Sequence, residues 1–166
     1  MPGLLLTLIA CSPRSESQAP TISGQGVGCL GIGAPVAGLA APCRVLDDRT
    51  GPGAEGMPER RIVVSLGADT LTATVVADAV WRIEVDGSRL RTSDGIGVGS
   101  GVRELLERPG SRMIGGEGRL FVTLSGHCGM SFQVPLDGLS QIPEEAAREV
   151  TPEARVSRVL LFGCDE

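Results

Sequence analysis

The chain has 166 residues and a formal net charge of −5, a length that suits one domain or two small ones sharing a core. Aromatic residues make up only 2% of the chain, and its 15 basic residues form no basic run. This composition argues against a nucleic-acid partner, which requires phosphate neutralisation and stacking platforms, and against adsorption to an anionic membrane through a basic patch.

The N-terminus has the layout of an export leader. A small-apolar run, residues 3–10, stops at Cys11 and is followed by a polar, turn-prone linker over 12–20. The sequence Leu8-Ile9-Ala10-Cys11 resembles the lipobox of bacterial lipoproteins, which implies a leader over 1–11 and lipidation at Cys11. We therefore expect a protein of the bacterial cell envelope (periplasm or outer membrane) or a secreted protein, touching a membrane only through a lipid anchor. The alternative is an apolar N-terminus without a targeting role.

Four further cysteines remain, Cys29, Cys43, Cys128 and Cys164, an even number that suits two disulfides in an oxidising compartment. We predict the pairs Cys43–Cys128 and Cys29–Cys164, which would link the two halves and the two ends of the chain. The alternative is that some are free buried thiols. A zinc site is disfavoured because the chain has no CxxC pair and a single histidine, and no metal is expected.

A Gly-rich segment occurs twice. Residues 31–40 can be laid over residues 97–106 without a gap, and in both copies apolar residues recur at the i, i+3 and i+4 spacing of a helix. Each copy is expected to be a short helix launched from a Gly-rich turn. The apolar positions are Val36, Leu39 and Ala40 in the first copy and Val102, Leu105 and Leu106 in the second.

Runs with strand character follow each predicted helix. In the first half they are Cys43 to Asp47, Arg61 to Leu66, Leu71 to Ala77 and Val80 to Val85; in the second they are Met113 to Gly116, Leu120 to Ser125, Met130 to Leu136 and Arg155 to Phe162. The second copy carries about ten extra residues, where Pro143 to Glu149 predicts a surface helical turn. The expected units are 21–88 and 89–166, forming one compact domain with a shared sheet.

These patterns predict an α+β fold of two tandem repeats, each a short helix followed by about four antiparallel strands, with the helices on one face of the sheet. The tandem helix-then-sheet units resemble the architecture of secreted beta-lactamase-inhibitor-type proteins, and each unit resembles the small outer-membrane-assembly lipoprotein family. The local match is the segment Gly-(Val/Ile)-Gly-x-x-Val-x-x-Leu in both copies. That resemblance implies binding modules of the cell envelope, and it transfers no contact residue.

Two motifs resemble parts of a cofactor-binding or catalytic site, but each lacks other features that such a site needs. The glycines of residues 26–31 satisfy G-x-G-x-x-G, but a dinucleotide site needs a preceding strand and a long following helix, so no cofactor is expected. His127 stands next to Cys128, but adjacent residues of an extended segment point to opposite sides. We interpret them as a disulfide cysteine beside a surface histidine.

The last strand of the first half is expected to have two distinct faces. With period-2 alternation, Trp81, Ile83 and Val85 pack under the helix while Val80, Arg82 and Glu84 point to the open face of the sheet.

Two arginines stand at equivalent positions of the two final strands and form the core of the candidate binding face. Arg82 and Arg158 would lie on the open sheet face with Glu84, near the alternating Thr72 and Thr74. The alternative is that both arginines simply pair with acids on a solvated sheet.

The leading function hypothesis is a non-catalytic, exported and lipid-anchored binding or scaffold module whose partner is an envelope protein or a small ligand. The alternative is a small thiol-dependent hydrolase or redox protein using His127 and Cys128. A purely structural lipoprotein is a third possibility.

Overall fold

The computed structural model describes residues 20–39, 41–53, 56–116 and 118–164 and is built mostly of β-strands. The strands are β1 Ile22–Ser23, β2 Gly26–Val27, β3 Leu30–Gly31, β4 Cys43–Pro52, β5 Pro58–Leu66, β6 Asp69–Val76, β7 Ala79–Val85, β8 Arg112–Gly116, β9 Arg119–Thr123, β10 Met130–Val134 and β11 Arg158–Leu161. The helices are α1 Val102–Leu106 and α2 Pro143–Glu149.

The strands form a small and a large antiparallel sheet. The small sheet has the order β1-β2-β3, and the large one the order β4-β5-β6-β7-β11-β10-β9-β8. The large sheet is therefore two four-stranded meanders joined at its centre, where β7 pairs with β11 and Glu84 lies opposite Leu160. The division of the chain into 21–88 and 89–166 stays a prediction, although each meander falls within one of these segments.

The predicted α+β fold of two helix-plus-sheet repeats is wrong. The first expected helix is not formed over the described residues 34–39, and α1 in the second copy spans five residues. In the first copy Val36 donates its amide proton to Asp78 O at 3.0 Å and Gly38 takes a φ of +82°, so backbone pairing with β7 and a left-handed glycine replace the helical turn.

Matching backbone hydrogen bonds tie the first Gly-rich segment to the start of β7 and the second to the residues just before β11. Gly33 donates to Val80 O at 2.7 Å, and Gly99 donates to Val156 O at 2.7 Å. Val80 donates to Ala34 O at 2.9 Å, and Val156 donates to Ser100 O at 2.9 Å. Gly33 and Gly99 have φ values of +77° and +89°, a conformation that favours glycine. The similar segments therefore share one local geometry.

The predicted strands and the late helix are confirmed. Each of the eight strand runs has a counterpart among β4 to β11, and α2 spans Pro143–Glu149 as expected. Both elements were predictable because their signals are local: a period of two residues for the strands and a proline at the first turn for α2.

Among the described residues, a buried apolar cluster forms the core on one face of the large sheet, which we call the inner face. Ile62, Val64 and Leu71 supply it from the first meander, and Val122 and Phe132 from the second. The small sheet and the helices contribute Val27, Leu30, Leu105 and Ala146 to the same cluster. Its aliphatic composition follows from the low aromatic content of the chain.

The four described cysteines form two disulfides, but their predicted pairing is wrong. Cys29 is bonded to Cys43, with 6.1 Å between their Cα atoms, and Cys128 to Cys164, with 5.3 Å. Each bond stays within one half: the first ties the small sheet to the start of β4, and the second joins the turn before β10 to the residues after β11. Because β10 and β11 are paired neighbours, Cys128 and Cys164 are brought together by the sheet register.

Candidate functional site: the outer face of the large sheet

The face of the large sheet opposite the core, which we call the outer face, carries an excess of positive charge. Along β5, Ile62, Val64 and Leu66 are buried in the core, so Arg61 and Val63 face the other way. Alternation, register and ion pairing place on the outer face Arg44, Asp47, Arg49, Glu59, Arg61, Arg82, Glu84, Asp86, Arg112, Arg119 and Arg158. Seven are arginines and four are carboxylates, although the chain has a net charge of −5.

Polar groups at the centre of the outer face are shielded from solvent. Thr74 is 2% exposed, Glu84 5% and Ser131 6%, and the apolar Leu160 beside them is 7% exposed. Polar side chains are seldom this buried unless they are paired or bind something. The centre of the face is thus a partly desolvated polar surface.

Glu84 is the carboxylate at which the two meanders meet. Its Oε2 atom lies 2.7 Å from Arg158 Nη1, and its Oε1 atom lies 3.8 Å from Arg82 Nη2. Arg158 also donates from Nε to Asp86 Oδ1 at 2.6 Å. Burial acts against the charged form of Arg158, but the hydrogen bond to Asp86 and the charges of Glu84 and Asp86 outweigh it and raise the pKa of Arg158.

The structure brings together all five residues of the predicted binding face. Thr72 lies opposite Glu84 and Thr74 lies opposite Arg82 in the β6–β7 ladder. Arg158 reaches Glu84 from the neighbouring β11. The alternative considered for the arginines also describes part of this geometry, because both lie within ion-pairing distance of Glu84.

One expectation about this strand is corrected by a β-bulge. The register of β6 and β7 shifts between Thr74 and Val75, so Trp81 is the extra residue. Val80 is therefore buried in the core at 1% exposure rather than on the open face, and Trp81 is 54% exposed rather than packed under a helix. The guanidinium carbon of Arg82 lies 5.3 Å from the Trp81 ring centroid, a cation–π contact.

Two cavities of about 310 Å³ lie at opposite ends of the large sheet. The first lies between the β8–β9 hairpin and α2 and is lined in part by Leu120, Leu136 and Pro143. The second lies on the β4–β5 hairpin and is lined by Arg49, Gly51, Pro52, Glu59 and Arg61. The first includes one charged residue of the outer face, Arg119, and the second includes three, Arg49, Glu59 and Arg61.

His127 is held by Asp94, a carboxylate from a distant part of the chain. Its Nε2 atom lies 2.9 Å from Asp94 Oδ1, and Asp94 also accepts hydrogen bonds from Thr92 and Arg108. Burial opposes ionisation of Asp94, but the hydrogen bonds from Thr92, His127 and Arg108 outweigh it and hold its pKa well below the ordinary value. Cys128 is bonded to Cys164 and so presents no thiol beside His127.

Some features of the site carry no local sequence signal. Asp94 is separated from His127 by 33 residues, and Asp86 from Arg158 by 72. The alternation of Arg61 with Ile62 and Val64 did place its side chain on the open face, and this signal could have added Arg61 to the predicted set.

The described part of the chain holds no group of three or more His, Cys, Asp or Glu residues arranged for a metal ion. Neither described helix is long and apolar enough to cross a membrane. Cys11, the predicted lipidation site, lies outside the described residues.

Comparison with known proteins shows a likeness to a solved structure. No family model matches the chain, and no curated protein matches it. The crystal structure of the uncharacterized protein yfeY from Escherichia coli is similar, with a TM-score of 0.59 and 19% identity over 86% of this chain and 99% of that one. The likeness is one of fold. The two disulfides are, for their part, consistent with an extracellular or periplasmic location.

Proposed function

We propose that this protein is an exported, non-catalytic binding module that uses the outer face of the large sheet to hold an acidic partner, either an envelope protein or a small ligand. The proposal rests on the uneven distribution of charge, since the outer face is positive although the whole chain is negative. Seven arginines and four carboxylates lie on one face of a chain whose net charge is −5. An excess of one sign on one face favours a partner of the opposite sign and speeds its association.

The chemistry of the face also suits binding. Arginine offers planar, multidentate hydrogen bonding to carboxylates and phosphates, and the basic residues of this chain are arginines throughout. The apolar side chains Val63 and Leu160 lie among the charges on the same face, so a partner could combine ionic and apolar contacts.

Export to the envelope, with lipidation at Cys11, is part of the proposal. It is supported by the likeness of Leu8 to Cys11 to a lipobox and by the two disulfides, which are rare in reducing compartments. A thiol-dependent hydrolase would need a free thiolate at Cys128, and the bond to Cys164 leaves none there.

The test is a pull-down from envelope extract with matched charge reversals. Arg44→Glu/Arg112→Glu reverses two exposed arginines at the two edges of the outer face, and Arg148→Glu/Arg155→Glu reverses two exposed arginines elsewhere. We expect the first double variant to lose the partners captured by the wild type and the second to keep them. Identical partner profiles for wild type and both variants would overturn the proposal.

A further inference from the structure

Three arginines and a threonine lie in one line across four neighbouring strands. Arg49 of β4 lies opposite Arg61 of β5, Arg61 lies opposite Thr74 of β6, and Thr74 lies opposite Arg82 of β7. Directly opposed side chains in an antiparallel sheet have Cβ atoms about 5 Å apart, and like charges at that spacing repel. An anion placed between or beside the two guanidinium groups would therefore stabilise the opposed pair of Arg49 and Arg61.

A cavity of about 310 Å³ adjoins this pair. Arg49 and Arg61 line it together with Gly51, Pro52 and Glu59. Gly51 leaves it open, because a Cβ atom added there would meet nothing within 4 Å. The volume lies at the small end of the range for small-molecule sites, which is about 300 to 1,000 Å³.

The hydroxyl of Thr74 is a second, independent indication of a ligand. Thr74 is 2% exposed, and among the described residues its Oγ1 atom is buried without a hydrogen-bond partner. A buried hydroxyl normally has a partner because leaving it unpaired is costly. Since Thr74 lies next to Arg61 in the cross-strand line, a ligand oxygen bound by Arg61 would also be the natural partner for this hydroxyl.

The carboxylate of Glu59 occupies a hydrogen-bond donor of Arg61 at the edge of the cavity. Its Oε1 atom accepts a hydrogen bond from Arg61 Nε at 2.5 Å, and Glu59 also lines the cavity. This carboxylate therefore holds the donor that an incoming anion would use. Arg49 has its own carboxylate partner, Asp47, at 3.3 Å, but that pair is largely exposed and easily exchanged.

We infer that Arg49, Arg61 and Thr74, with the adjoining cavity, form a binding site for a small ligand bearing a carboxylate or phosphate group, with Glu59 as an internal competitor for Arg61. The inference rests on the proposed binding role of the outer face and names the ligand class for one end of it. The ligand's anionic group accepts from Arg61 and Thr74 while Glu59 turns toward solvent, and the rest of the ligand occupies the cavity.

The test is isothermal titration of the full chain at low ionic strength with inorganic phosphate, with succinate and with glycerol as a neutral control. We expect saturable 1:1 binding of at least one anion and none of glycerol. The anion that binds more tightly identifies the ligand group. Glu59→Gln, which removes the competitor, should tighten binding about fivefold.

Three variants locate the site. Arg61→Gln should weaken binding about tenfold, and Thr74→Val should weaken it about fivefold. Arg112→Gln, which removes a charge at the far edge of the same face, should change affinity by less than about twofold. Thermal unfolding shows whether Thr74→Val remains folded, as expected for removal of an unpartnered hydroxyl.

Absence of binding by both the wild type and Glu59→Gln would overturn the inference. Equal weakening by Arg112→Gln and Arg61→Gln would also overturn it, because the anion would then respond only to the general charge of the face. Neither outcome would affect the pull-down test, whose substituted residues Arg44 and Arg112 do not line the cavity.

Discussion

Arg158 of the second meander forms an ion pair with Glu84 of the first, with 2.7 Å between Nη1 and Oε2, across the β7–β11 ladder that joins the two halves of the sheet. Arg82, at the matching place in the first meander, lies 3.8 Å from the other oxygen of the same carboxylate. A nearly buried carboxylate thus organises the centre of the outer face and links it to the junction of the fold.

Glu84→Gln should destabilise the protein by about 3 kcal/mol, because it leaves Arg82 and Arg158 without the carboxylate between them in a mostly desolvated place. The measurement is the urea midpoint at constant m-value. Glu144→Gln, an exposed carboxylate of α2, is the matched control and should stay within about 0.5 kcal/mol of the wild type. If Glu84→Gln lowered the free energy of unfolding by less than about 0.5 kcal/mol, the role assigned to the carboxylate would be contradicted.

The two disulfides should contribute unequally to stability. They close loops with sequence separations of 14 and 36 residues. The loop-entropy model then gives about 3 kcal/mol for Cys29–Cys43 and about 4 kcal/mol for Cys128–Cys164. Urea unfolding of the two paired Cys→Ser variants tests this order. Non-reducing peptide mapping of the wild type should yield these two pairs, and recovery of a Cys43–Cys128 peptide would contradict the structure.

Acid should destabilise the loop that holds His127. The folded-state pKa of Asp94 lies below its unfolded value of about 3.9, so its contribution is fully present above that value and is lost as the pH falls toward the folded pKa. Between pH 5 and pH 2, Asp94→Asn should therefore lose less stability than the wild type. Asp137→Asn, an exposed loop carboxylate, is the control. Parallel curves for all three proteins in urea unfolding would rule out this contribution.

Because the two Gly-rich turns share one geometry, alanine substitutions of their glycines should reduce stability by similar amounts. Gly33 and Gly99 both have positive φ and nothing within 4 Å of an added Cβ atom, so alanine there should cost about 1 kcal/mol through backbone strain alone. Gly116 also has open space but no positive φ, and Gly116→Ala should be neutral or slightly stabilising. Thermal unfolding distinguishes the cases, and equal midpoints for all three variants would mean that the turn geometry is not required.

Structural features that depend only on neighbouring residues could be predicted from the sequence. Leu71, Ala73 and Val75 alternate with exposed or polar neighbours, and this period-2 pattern located β6 because neighbouring side chains of a strand face opposite sides. The binding-face residues Thr72, Glu84 and Arg158 were likewise grouped from alternation in the two halves.

Structural features that depend on pairing between distant segments could not be predicted from local sequence patterns. The spacing of Val36 and Leu39 predicted a helix, but residues around Val36 instead form backbone hydrogen bonds with residues 78–80. These partners lie about 40 residues away, so a local pattern could not reveal them. The bulge at Trp81 reversed the expected positions of Val80 and Trp81, because one unpaired residue changes the phase of a strand. The cysteine pairing failed for the same reason, since it follows the order of the strands.

The most direct test of the central claim is methyl NMR of the full chain titrated with an octaglutamate peptide, with octalysine as the control. Val63, Leu160 and Ile114 report on the outer face, and Leu105 and Val122 on the core. We predict saturable shifts of the outer-face methyls with octaglutamate alone, weakened in Arg44→Glu/Arg112→Glu. Shifts confined to the core methyls, or equal shifts with both peptides, would contradict the claim that the outer face binds an acidic partner.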